Sequence, residues 1–262
     1  MRPMRVATWN INSINARLAR LLAWLDAARP DVVCLQELKC AAADAPAEAL
    51  AAAGYEIAAH GDGRWNGVAI LSKVGIGEVV RDLDDQPVFD GALEPRAIAA
   101  TCGPVRVWSV YVPNGRDVAD LHYPYKLAFL EALKTTVAAD AAAERPFAVL
   151  GDFNICPTDD DLWDAQAWSG TTHVTEAERA ALADVESAGL SDVFPRALKH
   201  AWPFTFWDYR NLDFPKNRGM RIDLALANAA WTGAVADAYV DREERKGKGA
   251  SDHAPVVLDL DL

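Results

Sequence analysis

Only four of the 262 residues are cysteine, and Cys34, Cys40, Cys102 and Cys156 include no CxxC pair. That spacing suggests neither a zinc knuckle nor a disulfide framework, so buried free thiols are expected. No apolar run reaches the roughly 18 residues of a membrane span. The start, MRPMRVATWN, runs straight into strand-like sequence, without the apolar stretch and small-residue cleavage site of a secretory signal. A soluble cytoplasmic protein with no membrane partner is expected. Repeats, low-complexity tracts and linkers are also absent, which reads as one domain over residues 1–262. Positive charge is scarce: 26 Lys and Arg stand against 38 Asp and Glu, a formal net charge of −12. Taken alone, this argues against a polyanionic partner, because nonspecific nucleic-acid affinity rests on basic side chains displacing counterions. Net charge is not charge distribution, however. A metal-dependent enzyme gathers carboxylates at its centre, and Arg242, Arg245, Lys246 and Lys248 crowd into one stretch that reads equally as a local basic track or a solvated loop.

What is present is apolar sequence with strand character. At 51% hydrophobic, the chain can bury a large core. Runs bounded by turn residues recur: RVATW, DVVCLQ, GVAILS, RAIAAT, VRVWSVYV, FAVLG, RIDLALA and VVLDLDL. Helical patterns lie between some of them. Leu18, Leu21, Leu22 and Leu25 share one face of a helix near 16–28 that Pro30 stops. APAEALAAAGY is a short helix closed by Gly54, and YPYKLAFLEALKTTVAADAAA a longer one beginning at a proline. In TEAERAALADVESAG, Thr175 and Glu178 form a capping box. TCGPVR between two strands is a tight hairpin, so part of the sheet is antiparallel. Hairpins mixed with strand–helix units predict an α/β sandwich with helices outside packed sheets.

The polar residues fall at particular strand ends. Asn10 and Asn12 follow the first strand, Glu37 the second, Tyr111 and Asn114 the hairpin's return strand, and Asp152 with Asn154 the FAVLG strand. Asp223 and the triplet Ser251, Asp252, His253 precede theirs. In antiparallel neighbours one strand's end lies beside the next one's start, so all of these can meet on one rim. Any single Asp or Asn at a strand exit more often serves a turn. Turn chemistry does not predict so many on the same rim. Glu37, Asp152, Asn154 and Asp252 with Asn10 or Asn12 make an all-oxygen ligand set, which suits Mg²⁺ or Mn²⁺ better than zinc. Beside them stand His253, able to donate to a phosphate oxygen, and Tyr111, a neutral donor.

In order and across nearly the whole chain, TWNINSINAR, DVVCLQELK, NGVAILSK, VYVPNG, GDFNICP, TFWDYR, NRGMRIDLALA and SDHAPVVLDL resemble the exonuclease III family of abasic-site endonucleases. That family sits within the metal-dependent endonuclease/exonuclease/phosphatase superfamily. LQE, GDFN and SDH point to the superfamily; NRGMRID and TFWDYR point to its DNA-repair branch. The resemblance implies a four-layered α/β sandwich of two packed mixed sheets. It also implies Mg²⁺-dependent cleavage 5′ to abasic sites in double-stranded DNA, with 3′–5′ exonuclease and 3′-phosphate removal alongside. Carried over by motif, Glu37 is a metal ligand, with Asn10, Asn12 and Asp252 near it and Asp152, Asn154 and His253 around the same ion. Asp152 orients and deprotonates the attacking water, Asn154 holds it, and His253, kept cationic by Asp223, binds the phosphate together with Tyr111. A rival assignment makes His253 the base and Asp152 only a ligand.

Substrate selection is expected in TFWDYRNLDFPKNRGMRID. Phe206, Trp207, Met220 and Ile222 would wall a small apolar pocket for a flipped abasic sugar. Asn114, Arg116, Lys126, Lys216, Arg218 and Arg221 would meet phosphates or the duplex. Met220 stands where relatives carry Trp, which leaves the balance of endonuclease and exonuclease activity open. Trp24, Trp108 and Trp231 are expected in the core. NLDFP resembles the short peptides that dock on sliding clamps. A nucleoid-associated monomer is the overall expectation. The alternatives are a non-catalytic nucleic-acid-binding regulator on the same scaffold, or a phosphatase or phosphodiesterase acting on a non-DNA substrate.

Overall fold

The apolar runs become strands that are covered on both faces. In the computed structural model, which describes residues 3–262, thirteen strands form two sheets. They are β1 (Met4–Asn10), β2 (Val32–Gln36), β3 (Glu56–His60), β4 (Val68–Ser72), β5 (Gly77–Arg81), β6 (Ala97–Cys102), β7 (Val105–Tyr111), β8 (Phe147–Asp152), β9 (Ser191–Asp192), β10 (Arg196–Ala197), β11 (Asp223–Ala227), β12 (Val235–Val240) and β13 (Val256–Leu260). One sheet has seven strands in the order β10-β12-β13-β1-β2-β4-β3, the other six in the order β5-β6-β7-β8-β11-β9. Both are mixed: β1 pairs parallel with β2 and antiparallel with β13, and β7 pairs parallel with β8, which pairs antiparallel with β11. Residues of β2, β4, β8 and β11 are buried throughout. Such near-continuous hydrophobic runs belong to strands with both faces covered.

The covering helices are α1 (Leu18–Ala28), α2 (Ala47–Ala52), α3 (His122–Ala141) and α5 (Glu176–Glu186), with short turns α4 (Ala165–Trp168) and α6 (Ala229–Thr232). Between the sheets lie Val6, Cys34, Ile98, Val107, Leu150, Trp231 and Leu258. Trp9, Leu21, Trp24, Leu25 and Leu50 fill the space between the first sheet and α1 and α2. Phe129, Leu133, Phe147, Leu182 and Val185 do the same between the second sheet and α3 and α5. This is the four-layered α/β sandwich expected. Helix ends follow their local chemistry: Arg29 closes α1 in the left-handed conformation, Gly54 follows α2, and the Thr175–Glu178 capping box opens α5. The hairpin at Gly103 joins β6 to β7 antiparallel. All four cysteines are free and buried. Among the described residues no helix is long and apolar enough to cross a membrane.

Five strands carry no signal among the runs read from the sequence: β3, β5, β9, β10 and β12. Each is edge-like, short or half exposed; β5 buries none of its residues fully. Little apolar patterning is demanded of such strands. One polar bond set crosses the core below the rim, where Gln36 Nε2 donates to Thr8 Oγ1 (3.1 Å) and to Ser109 Oγ (3.0 Å) of the opposite sheet. Ser109 Oγ donates in turn to Leu35 O at 3.0 Å. A fully paired buried group of this kind fixes the offset between the sheets, which an apolar contact would leave free to slide.

Gly151 is the tightest point of the second sheet, since a Cβ there would overlap the Val110 carbonyl oxygen of the neighbouring strand. Gly151→Ala therefore forces β7 and β8 apart. We expect it to lower stability by about 3 kcal/mol, read as a lower urea midpoint. A midpoint equal to wild type would show that the strands tolerate the separation.

Candidate active site

Strand register places the polar residues together. Tyr111 is paired with Asp152 across β7–β8, and Asp152 with Asp223 across β8–β11, so the three stand in one rank at the end of the second sheet. In the first sheet Asn10 is paired with Gln36, which puts Glu37 just beyond the pairing. β13 runs antiparallel to β1, so the residues before it, Ser251 to His253, emerge at the same end. The rims face each other. Asn10 Nδ2 donates to Glu37 Oε1 at 2.8 Å and to Asp152 Oδ2 at 2.9 Å. One atom each from Glu37, Asp152 and His253 lie within 4.8 Å of one another.

Turn chemistry and site chemistry coincide here. Asp152 Oδ1 accepts from Asn154 N at 2.9 Å, and Asn10 Oδ1 from Asn12 N at 3.1 Å, each closing an Asx turn. Asp152 Oδ2 is left to accept from Asn10 Nδ2, and the Asp152 side chain lines a cavity above. Asn12, Glu37 and Asn154 all have φ near +50° (47°, 55° and 52°), a left-handed conformation that costs a non-glycine residue energy and persists only where its surroundings enforce it.

The carboxylates differ electrostatically. Burial would raise the Glu37 carboxyl, but Lys39 beside it, whose Nζ donates at 2.7 Å, and the Asn10 amide hold it below its ordinary value. Asp152 has no lysine or arginine bonded to it; the charged group beside it is His253, with Nε2 3.7 Å from Oδ2. Burial pushes it up to about 7, with His253 pulling down and Asp223 and Glu37 pushing up. Burial opposes the charged His253 ring, but Asp223, bonded to Nδ1 at 2.8 Å, and Asp152 raise it to about 10. His253 Nε2 then points its proton into the cavity, 3.7 Å from Asp152 Oδ2. His253 offers one of the three atoms near enough to share an ion with Glu37 and Asp152, and it can do so only when the ring is unprotonated, since an imidazolium has no lone pair for a metal. Tyr111 is held well above its ordinary value by burial and by Glu37, which keeps its hydroxyl a donor.

The donor set fits a hard divalent cation: Glu37 and Asp152 share one amide donor, Asp252 accepts from Asn12 Nδ2 at 2.9 Å, and no cysteine lines the cavity over them. Lys39 was missed from the sequence. Its Nζ also donates to Asn12 Oδ1 at 2.6 Å, so it braces two of the expected ligands.

A cavity of about 460 Å³ opens over these groups. Of the expected pocket residues, Phe206, Met220, Ile222, Asn114 and Arg116 line it. The strand-like segment 204–207 holds Phe206 between Met220 and His253 by paired backbone bonds, and the Phe206 ring lies 4.9 Å from that of His253. Trp207 does not line the cavity; it is 1% exposed, packed in the core against Phe214. Arg221 is buried too, its guanidinium spent on Asp161 (2.6 Å) and Asp192 (2.7 Å). Lys126, expected on DNA, is 0% exposed and paired with Glu178. Half of the basic track is structural: Arg242 and Arg245 are buried over the Phe214 ring. Trp24, Trp108 and Trp231 are in the core as expected. The sequence reading missed Trp168, Thr172, His173, Asp208 and Arg210 on the cavity wall. Asp208 and Arg210 could have been found from TFWDYR; Trp168 at the end of α4 and Thr172 and His173 in the loop after it carry no pattern.

The chain matches the model of the Endonuclease/Exonuclease/phosphatase family over residues 7–253. It is 30% identical to exodeoxyribonuclease III of Haemophilus influenzae, over 97% of this chain and 98% of that protein. Among solved structures it resembles a 3′ phosphatase, NExo from Neisseria, bound to product DNA hairpin (TM-score 0.93, 34% identity, 99% and 100% of the two chains). It also resembles an AP endonuclease from Archaeoglobus fulgidus (TM-score 0.92, 29% identity, the same coverage).

The charge on His253 depends chiefly on Asp223. In Asp223→Asn the ring should therefore titrate at least about one unit lower, measured by NMR of the histidine ring in metal-free protein. An unmoved titration would remove Asp223 as the cause.

Proposed function

Because the chain belongs to the endonuclease/exonuclease/phosphatase family, we propose that it is a divalent-metal-dependent DNA phosphoester hydrolase of the exonuclease III kind. It incises the backbone 5′ to abasic sites and removes 3′-terminal nucleotides and phosphates. The observation that carries this is the cross-sheet assembly of Glu37, Asp152 and the Asp223–His253 pair beneath a partly apolar cavity.

Mg²⁺ or Mn²⁺ would be held by Glu37, with Asn10, Asn12 and Asp252 in its neighbourhood. When bound it supplies positive charge against the negative charge that grows on the phosphate oxygens. The side chains account for the rest. Asp152, pushed up to about 7, is matched to take a proton from water at neutral pH. Asn154 Oδ1, fixed by Asn114 Nδ2 at 3.0 Å, is an acceptor that orients that water. The proton on His253 Nε2 and the Tyr111 hydroxyl donate to the non-bridging oxygens, already aimed where charge develops. With His253 charged before the reaction, the base role falls to Asp152. Phe206, Met220 and Ile222 give a flipped sugar without a base an apolar wall. Arg116 and Arg210, with side chains 58% and 82% exposed, supply local positive charge despite the net −12.

A second reading, processing of 3′ ends alone, is favoured by the likeness to the Neisseria 3′ phosphatase. Action as a monomer with a single catalytic domain over residues 1–262 is part of this proposal. The segment 211–215 exposes Leu212 (66%), as a clamp-docking peptide would need.

Three labelled duplexes decide between the readings: one with an internal abasic site, one with a 3′ phosphate and one with a recessed 3′ end. Hydrolysis should require Mg²⁺ or Mn²⁺ and stop in excess EDTA; undiminished cleavage in EDTA removes the metal from the mechanism. Asp152→Asn should lose about a thousandfold in kcat while still binding DNA. A variant of near wild-type rate would transfer the base role elsewhere.

A further inference from the structure

Lys126 and Glu178 are both fully buried, yet neither lines the cavity. They face each other from α3 and α5, with Lys126 Nζ 2.5 Å from Glu178 Oε1. Apart from the α5 capping box that Glu178 Oε2 makes with Thr175, their other side-chain bonds go to loops that carry the site. Lys126 Nζ donates to the backbone oxygens of Asn154 (2.7 Å) and Asn114 (3.3 Å). Glu178 Oε1 accepts from His173 N (2.9 Å) and Thr172 Oγ1 (2.8 Å), and Oε2 from Thr175 N (3.1 Å) and Thr175 Oγ1 (2.8 Å). Two further bonds close the knot: Thr172 Oγ1 lies 3.0 Å from Asn114 O, and His173 Nδ1 lies 2.5 Å from Asn154 O. Gly115 passes so close that an added Cβ would overlap Thr172 Oγ1.

The convergence has a single beneficiary. The two backbone carbonyls that Lys126 holds belong to the residues whose side-chain amides bond each other in the cavity, Asn114 Nδ2 to Asn154 Oδ1 at 3.0 Å. Asn154 is in the left-handed conformation, which must be imposed from outside. Two donors on its carbonyl oxygen impose it. A buried ion pair is poor value as a source of stability, since removing two charges from water offsets most of their attraction. An apolar pair would fill the space between α3 and α5 as well, but could not hold three loops by their polar atoms.

We propose that Lys126 and Glu178 are a buried positioning pair that sets the Asn114 and Asn154 amides against the reacting phosphate. This deepens the function proposed above and rests on it. The pair touches no substrate and acts only through the two asparagines.

The test is the double variant Lys126→Met with Glu178→Met, assayed beside wild type on whichever of the three DNA duplexes wild type hydrolyses, with Mg²⁺. Replacing both partners leaves no uncompensated charge, though it unpairs buried backbone groups and half of the α5 capping box, so the melting temperature should fall by several degrees with the fold retained. kcat should fall about a hundredfold, the penalty of misplaced groups, with KM within about threefold. Hydrogen exchange in peptides covering 113–116 and 153–156 should speed up while the rest of the chain keeps its protection. A folded double variant with wild-type kcat and unchanged exchange overturns the proposal. Should the double variant not fold, Thr172→Val decides: it removes one hydroxyl of the knot and keeps the ion pair. A kcat lowered at least fivefold at unchanged KM supports positioning, and an unchanged kcat overturns it. If wild type itself hydrolyses none of the duplexes, the proposed function fails, and the exchange measurement still judges the pair.

Discussion

One neutral amide holds the two halves of the site at their working distance. Asn10 Nδ2 donates at once to Glu37 in the seven-stranded sheet and to Asp152 in the six-stranded one. Two carboxylates brought this close in a desolvated cleft repel each other, and a shared donor or cation is needed to keep them there. Asn10 is itself anchored, its backbone oxygen accepting from Ser251 Oγ at 2.6 Å, and Ser251 Oγ accepts in turn from His253 N. The same few bonds thus tie β1, the loop before β13 and the end of β8 together. Below them, Gln36 and Ser109 set the offset of the sheets, so the rims meet rather than slide past.

From that arrangement comes a division of labour between chemically identical groups. Glu37 has Lys39 in contact and remains a carboxylate throughout the neutral range. Asp152 is pushed up to about 7 by burial, against the pull of His253 at 3.7 Å. The first is suited to holding a cation and the second to exchanging a proton. Two acids separated in this way by their surroundings are how one fold performs acid and base chemistry together. His253 is driven the opposite way by Asp223 and becomes the fixed positive charge of the site.

The parts of the fold that were legible in the sequence are those where one local force is strong. Long β-branched runs gave β1, β2, β4, β6, β7, β8, β11 and β13, and the Thr175–Glu178 box gave the start of α5. The edge strand β5 and the half-exposed β12 escaped because much of each faces water and no apolar pattern is enforced. The residues that meet around Asp152 could be listed from strand ends alone, since register then leaves them few places to go. Their surroundings could not. Lys126 and Arg221 looked like phosphate contacts, and Arg245 like part of a basic track or a solvated loop, because positive charge on a helix or loop gives no sign of whether a carboxylate or an aromatic ring waits beneath it. Trp207 looked like a pocket wall for a similar reason: it alternates with Phe206, and which of the two faces the cavity depends on how segment 204–207 pairs with Met220 and His253.

By itself, then, the sequence determined the layers, the end of the sheets at which chemistry gathers and the residue types found there, because these follow from apolar periodicity and from polar residues excluded from a core. Tertiary structure alone decided which charges are spent inside the protein. Lys126 on Glu178 and Arg221 on Asp161 are pairings between distant segments. A charge's role depends on the desolvation and the partners it meets after folding, and neither is a property of its neighbours along the chain.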